Sequence, residues 1–139
     1  MPRSLYEIKI VTDFAAAHNL RNFRGKCENL HGHNWKVEVV LRGRRLDESE
    51  VLLDFGELKQ TTRSLLAQLD HQYLNDLPFF QNRNPSSENI AGFIFDHLRE
   101  HFNTEDLWVQ RVSAWESDNA CASVIHDGVD DPSARESSL

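Results

Sequence analysis

The sequence predicts an α+β domain, a four-stranded antiparallel sheet with two helices on one face. Three observations lead there. Four segments alternate apolar and polar residues, two longer segments repeat apolar residues at helical spacing, and their order is strand, strand, helix, helix, strand, strand. Strands grouped at the ends with helices between them favour an antiparallel sheet over βαβ units.

The first strand is expected over Leu5 to Phe14, a run rich in β-branched residues. The second, Asn34 to Arg42, places Trp35, Val37, Val39 and Leu41 on one face and Lys36, Glu38 and Arg42 on the other. There is room for a short extra strand around Val51 to Asp54. Phe55, Leu58, Thr62, Leu65, Leu66 and Leu69 then fall on one helical face. A second helix runs from about Ser86 to Phe102, its core face made by Ile90, Phe93, Ile94, Leu98 and Phe102. It starts either with Asn84 as cap and Pro85 in the first helical position, or with Ser86 as cap. Leu107 to Glu116 and Ala120 to His126 form the closing pair, joined by a Ser-Asp-Asn turn. Cys121, inside the apolar run Ala120 to Ile125, is expected in the core. Residues 1–126 form one domain, and 127–139, acidic and without aromatics, are expected to be a flexible tail. Such a sheet keeps an open edge and an incompletely covered face, which self-association would cover.

Composition narrows the function. A chain of 139 residues, 40% hydrophobic and 27% charged, can bury a core without disulfide staples. Its formal charge of -7 argues against a nucleic-acid binder held by general electrostatics. No apolar run approaches a membrane span, and MPRSLYEIKI lacks the apolar stretch of a signal peptide. Two cysteines, Cys27 and Cys121, suggest free thiols and a cytoplasmic setting.

The chemistry concentrates near the start of the second strand. In His31-Gly32-His33 the two imidazoles are two residues apart, so on a strand they point to the same side. If the first two strands pair as a hairpin, His18 returns towards them. An H-x-H pair alone is more often two ordinary polar histidines; His18 and a nearby thiol raise the case for a metal. Three neutral imidazoles suit Zn2+ and leave one coordination position open, as in catalytic sites. Cys27 lies four residues before His31. Its thiolate would serve as a proton acceptor beside the cation, or as a fourth ligand that closes the site; spacing does not separate these. Asp70-His71 pairs a carboxylate with an imidazole that it can orient, although a surface turn explains such a pair as well. Glu116 ends a strand, where a carboxylate can accept two parallel N–H bonds from an amidine-like edge or simply be solvated.

Taken together, six runs resemble the 6-pyruvoyl-tetrahydropterin synthase family: F-A-A-A-H (14–18), C-E-N-L-H-G-H-N (27–34), D-F-G-E-L-K (54–59), L-D-H-Q-Y-L-N-D (69–76), P-S-S-E-N (85–89) and W-E-S (115–117). The spacing C-x-x-x-H-G-H is similar to the branch that makes 6-carboxy-5,6,7,8-tetrahydropterin from 7,8-dihydroneopterin triphosphate, with acetaldehyde and triphosphate released. That branch belongs to queuosine and other 7-deazapurine biosynthesis. The alternatives are pyruvoyl formation, a related pterin side-chain lyase, or, in another class, a non-catalytic zinc module.

The resemblance implies zinc on His18, His31 and His33, with Cys27 as proton acceptor and Asp70 and His71 completing the acid-base machinery. It implies Glu116 as a catalytic residue that anchors the pterin ring and takes part in the proton relay, and Ser86, Ser87 and Glu88 as pterin contacts offered to a neighbouring subunit. It also implies the tunnelling fold, in which subunits join their sheets into a barrel as a homo-oligomer, a trimer-based hexamer or a tetramer. Phe14-Ala15 replaces the usual phenylalanine-serine, and Ser86-Ser87 and Trp115-Glu116-Ser117 carry serine where threonine is common. Arg21, Arg24 and Lys26 lie in the loop where a triphosphate would be met, and equally suit solvent.

Overall fold

A computed structural model describes residues 4–25 and 28–128. Chain order is β1 (Tyr6–His18), β2 (His31–Gly43), α1 (Phe55–Leu66), β3 (Gln72–Tyr73), α2 (Ser87–Phe102), β4 (Leu107–Ser117) and β5 (Ala120–Ile125). Two single 3₁₀ turns, Leu74–Asp76 and Pro78–Phe80, separate β3 from α2. The sheet is ordered β3-β1-β2-β4-β5 and is antiparallel except for β3, which runs parallel to β1. This is the expected α+β architecture with one short strand added.

Binary patterning accounts for the core. Ile10 and Phe14 of β1, Trp35, Val37, Val39 and Leu41 of β2, and Val109, Val112 and Ala114 of β4 form one continuous buried face. Register aligns this face across strands, with Phe14 opposite Trp35 and Ile10 opposite Val39, while Val39 also opposes Val112. Helix α1 packs on β1, and α2 on β4 and β5. Leu58, Thr62, Leu65, Leu66 and Leu69 are buried as their spacing predicted, and the Thr62 hydroxyl is satisfied by the Leu58 carbonyl. Phe55, on the first turn of α1, is exposed. The α2 cap is Ser86, whose Oγ accepts from the Asn89 amide at 3.1 Å.

Two expectations change. Val51 to Asp54 is not a strand. Asp47 closes a turn there, its amide donating to the Val51 carbonyl and its Oδ1 accepting from Ser49 and Val51; Asp54 then caps α1 through Glu57. Cys121 is exposed rather than in the core. Strand β5 is the sheet edge, and only its alternate residue Val124 packs towards the core, so Cys121 belongs to the outward-facing set with Ile125. The strand at Gln72–Tyr73 is too short for any period to reveal. No helix among the described residues is long and apolar enough to cross a membrane. Cys27, Lys26 and residues 129–139 of the expected tail lie outside the described residues.

Candidate active site

The last residue of β1 and the first of β2 face each other, His18 opposite His31, with Ala16 opposite His33. His31 and His33 share the parity of Trp35, so the three imidazoles continue the apolar core row beyond the point where apolar residues stop. Their ring centroids lie 4.5 Å (His18–His31), 4.7 Å (His31–His33) and 5.3 Å (His18–His33) apart. Trp35 packs edge-on against His18 and His33, forming an apolar floor.

Two rings are aimed by backbone carbonyls. His18 Nδ1 lies 2.7 Å from the Pro85 carbonyl oxygen, and His31 Nδ1 lies 2.8 Å from that of Asn29. A carbonyl accepts only, so in each neutral ring Nδ1 carries the proton and the Nε2 lone pair is free. The Nε2 atoms of His18 and His33 are buried without a hydrogen-bond partner. Burial lowers the pKa of His33, an effect reinforced by His18 and His31 and opposed by Glu116. The neutral form, which coordinates metals, is thus favoured at that ring.

Glu116 completes the group. A bulge between Trp115 and Ser117 carries it to the imidazoles, its Oε1 at 2.8 Å from His33 Nε2 and 3.5 Å from those of His18 and His31. The approach to His33 is the shortest of the three, and it opposes the lowering of the His33 pKa by burial. The four ligand atoms lie within 4.8 Å of one another, the arrangement of a group that could hold a metal ion. Sequence reasoning placed Glu116 on the substrate and did not foresee its contact with all three rings; nothing local in Trp115-Glu116-Ser117 signals it. The Pro85 and Asn29 carbonyls were also missed, since a backbone acceptor leaves no mark on residue type.

Asp70 and His71 form a second station. Asp70 Oδ1 accepts the Ala15 amide at 2.9 Å, and Oδ2 lies 3.0 Å from His71 Nδ1. The His71 amide donates to the Ala15 carbonyl at 2.6 Å, with His71 in the left-handed region at φ 59°. A non-glycine residue held there reflects local constraint, here the docking of the chain after α1 onto β1. The Ala15 amide holds the Asp70 carboxyl below its ordinary range; burial opposes it, and the contacts with His71 add to the lowering. The His71 ring is largely exposed, and among the described residues the metal-type group does not include Asp70 or His71. His71 and His33 nevertheless line one open cleft of about 550 Å³, with Ala17, Gly32, Asn34 and Tyr73.

Ser86 is occupied as the α2 cap, Ser87 is half-buried beside it, and Glu88 is exposed on the first turn. All three follow directly on Pro85, so the α2 start is joined to the histidines through His18. Of the candidate phosphate groups, Arg21 has both terminal nitrogens engaged by backbone carbonyls, whereas Arg24 is exposed beside the Phe23 ring.

The family described as "6-pyruvoyl tetrahydropterin synthase" matches residues 7–127. The chain is 38% identical over 117 residues to a "Putative 6-carboxy-5,6,7,8-tetrahydropterin synthase" of Archaeoglobus fulgidus, covering 84% of this chain and 93% of that one. It is 40% identical over 92 residues to the 6-carboxy-5,6,7,8-tetrahydropterin synthase of a Synechocystis species, covering 63% and 70% respectively. Among solved structures, 6-pyruvoyl tetrahydropterin synthase of Caenorhabditis elegans superimposes with a TM-score of 0.77 at 26% identity, covering 91% of this chain and 99% of that one.

Proposed function

Because the chain belongs to the 6-pyruvoyl tetrahydropterin synthase family, we propose that it is a zinc-dependent 6-carboxy-5,6,7,8-tetrahydropterin synthase acting in queuosine biosynthesis. It takes 7,8-dihydroneopterin triphosphate and one water to 6-carboxytetrahydropterin, acetaldehyde and triphosphate. The observation that carries this is the convergence of His18, His31, His33 and Glu116 on one point in a chain 38–40% identical to proteins named for that product.

The donor set suits zinc. Imidazole nitrogens are favoured ligands, and the buried, unpartnered Nε2 atoms of His18 and His33 are the polar atoms such an ion would satisfy. His18, His31 and His33 hold the ion. When bound, zinc supplies a Lewis acid that polarises oxygens of the substrate side chain.

The chain's own groups do the rest. Cys27, four residues before His31, accepts a proton as thiolate. His71, oriented by Asp70 through the 3.0 Å Nδ1–Oδ2 contact, moves the second proton. Glu116 turns to the guanidine-like edge of the pterin and accepts its two N–H groups, which places the side chain towards the histidines. Ser86, Ser87 and Glu88 contact the ring from a neighbouring subunit. Residues 1–126 act as one catalytic domain with 127–139 as an acidic tail, and the chain works in the cytoplasm as a homo-oligomer. Support for self-association comes from Val11 and Ile125, exposed on the sheet, and from the open edge at β5.

The test is incubation with 7,8-dihydroneopterin triphosphate, with and without a chelator, and identification of products by mass. Carboxytetrahydropterin and acetaldehyde, abolished by the chelator, are expected. A pyruvoyl product or a shortened pterin would move the chain to another branch, and no turnover with metal bound would make it a non-catalytic zinc module.

A further inference from the structure

We infer that Arg21 is a positioning residue for the metal centre: it fixes the segment whose Pro85 carbonyl aims His18, and so sets metal affinity without touching the metal. This rests on the metal reading proposed above. Immediately after His18 the chain turns back along the segment between β3 and α2, and the two are joined by paired side-chain bonds. Asn19 donates its amide to Asn75 Oδ1 at 3.0 Å, and Asn75 Nδ2 donates to the Asn19 carbonyl at 2.8 Å. Arg21 donates its amide to Asn84 Oδ1 at 2.8 Å, and Asn84 Nδ2 donates to the Arg21 carbonyl at 3.0 Å.

The Arg21 guanidinium spans the gap between these pairs. Nη2 donates to the Asn75 carbonyl at 2.9 Å, and Nη1 to Phe80 at 2.7 Å and Arg83 at 3.3 Å. Asn75 lies in the first 3₁₀ turn and Phe80 ends the second; the Asn75 carbonyl also accepts from Gln81 Nε2 at 3.0 Å, so Arg21 is its second donor. A cation there is favoured because its hydrogen bonds to the carbonyls are charge-assisted. Only a planar fork of donors reaches three carbonyls from one side chain; a lysine ammonium presents its donors at a single point. The segment leads directly into Pro85 and the α2 cap, and Asn89 Nδ2 holds the Asn84 carbonyl at 2.8 Å from the other side. The Pro85 carbonyl therefore has its position set by Arg21 from before and by α2 from after. His18 is buried and has no other described partner at Nδ1.

The experiment compares wild type, Arg21→Ala, Arg21→Lys, His18→Ala and the double variant Arg21→Ala/His18→Ala as full chains. Zinc affinity is read by competition with a chromophoric chelator, and ligand geometry by the visible spectrum of bound cobalt. The His18 Nδ1 proton is followed by NMR in the metal-free protein. Arg21→Ala is expected to lower zinc affinity on the order of tenfold, the low end for losing an outer partner. It should also change the cobalt spectrum and expose the His18 proton to exchange, with Arg21→Lys recovering part of each. In the double variant, affinity should fall no further than in His18→Ala, because the two residues act through one contact. Unchanged affinity, spectrum and proton exchange in Arg21→Ala overturn the inference, as do losses that add in the double variant. If Arg21→Ala does not fold, wild-type affinity and proton protection in Arg21→Lys overturn it equally. A wild-type chain that binds neither zinc nor cobalt defeats the metal reading instead, and the proton measurement then still decides whether Arg21 positions His18.

Discussion

His18 Nδ1 and the Pro85 carbonyl oxygen meet at 2.7 Å although 67 residues separate them in the chain. This contact joins the end of β1 to the start of α2 and leaves Nε2 of a buried ring as the available donor atom. His18→Ala is therefore expected to do two things. Metal affinity falls by more than the roughly 10–100-fold typical of an outer partner, because a ligand itself is lost. The Pro85 carbonyl is left without its donor, at a cost of about 1–3 kcal/mol. Metal content after dialysis and urea unfolding of the metal-free protein measure the two effects separately.

Glu116 touches all three imidazoles, so its role divides cleanly between ligand and substrate anchor. With three histidines able to hold the ion, Glu116→Gln should keep the metal and raise KM by about 10–100-fold, the worth of a charge-assisted pair. Equilibrium dialysis with zinc and steady-state kinetics check this. Loss of zinc with substrate affinity intact would make Glu116 a fourth ligand.

Cys27→Ala should lower turnover by ~10²–10⁴ while leaving zinc bound, as expected for the loss of an acid-base group. Zinc stoichiometry measured on the same sample gives the decisive comparison. Loss of metal would identify sulfur as a ligand and close the site.

The Asp70 carboxyl is held below its ordinary value of 3.8 by the Ala15 amide first and by His71 as well. A carboxyl depressed in the folded state binds fewer protons there than in the unfolded chain. Its stabilisation is therefore complete above the ordinary carboxylate range and is lost as pH falls from about 3.8 through the lower folded value. Denaturation curves of wild type and Asp70→Asn from pH 7 to pH 3 should converge on the acid side. A stability gap independent of pH would contradict the assignment.

Gly43 ends β2 where a Cβ would come within 2.5 Å of the Asp106 carbonyl oxygen and of Leu52 Cδ1. Backbone on one side cannot give way as a flexible side chain can. Gly43→Ala should cost about 1–3 kcal/mol by overpacking. Since Gly43 and His31 lie at opposite ends of β2, zinc affinity should stay at the wild-type value. Chemical unfolding and a metal titration test both halves of this statement.

Much of the fold was legible because patterning and burial answer to the same physics. The alternation of Trp35, Val37, Val39 and Leu41 names a face, and every one of those residues is fully buried. Helix α2 was marked at its start by two possible caps, Asn84 or Ser86, of which the structure uses Ser86, and along its length by the 3.6-residue repeat. Cys121 misled because an apolar run does not say whether a strand is central or at an edge, and β5 is at the edge. The pairing of His31 with His33 was readable from strand period alone, whereas the arrival of His18 needed the hairpin register that puts it opposite His31.

By itself the sequence determined which residues could do chemistry and which faces had to be buried, because residue type and spacing are local properties. Only the tertiary structure decided that Pro85 aims His18, that a bulge delivers Glu116 to the imidazoles, that Ala15 holds Asp70, and that Arg21 is spent on carbonyls. Each of these contacts uses a backbone amide or carbonyl, or a shift in strand register. Every residue carries such groups alike, so only the folded path of the chain selects which of them meet.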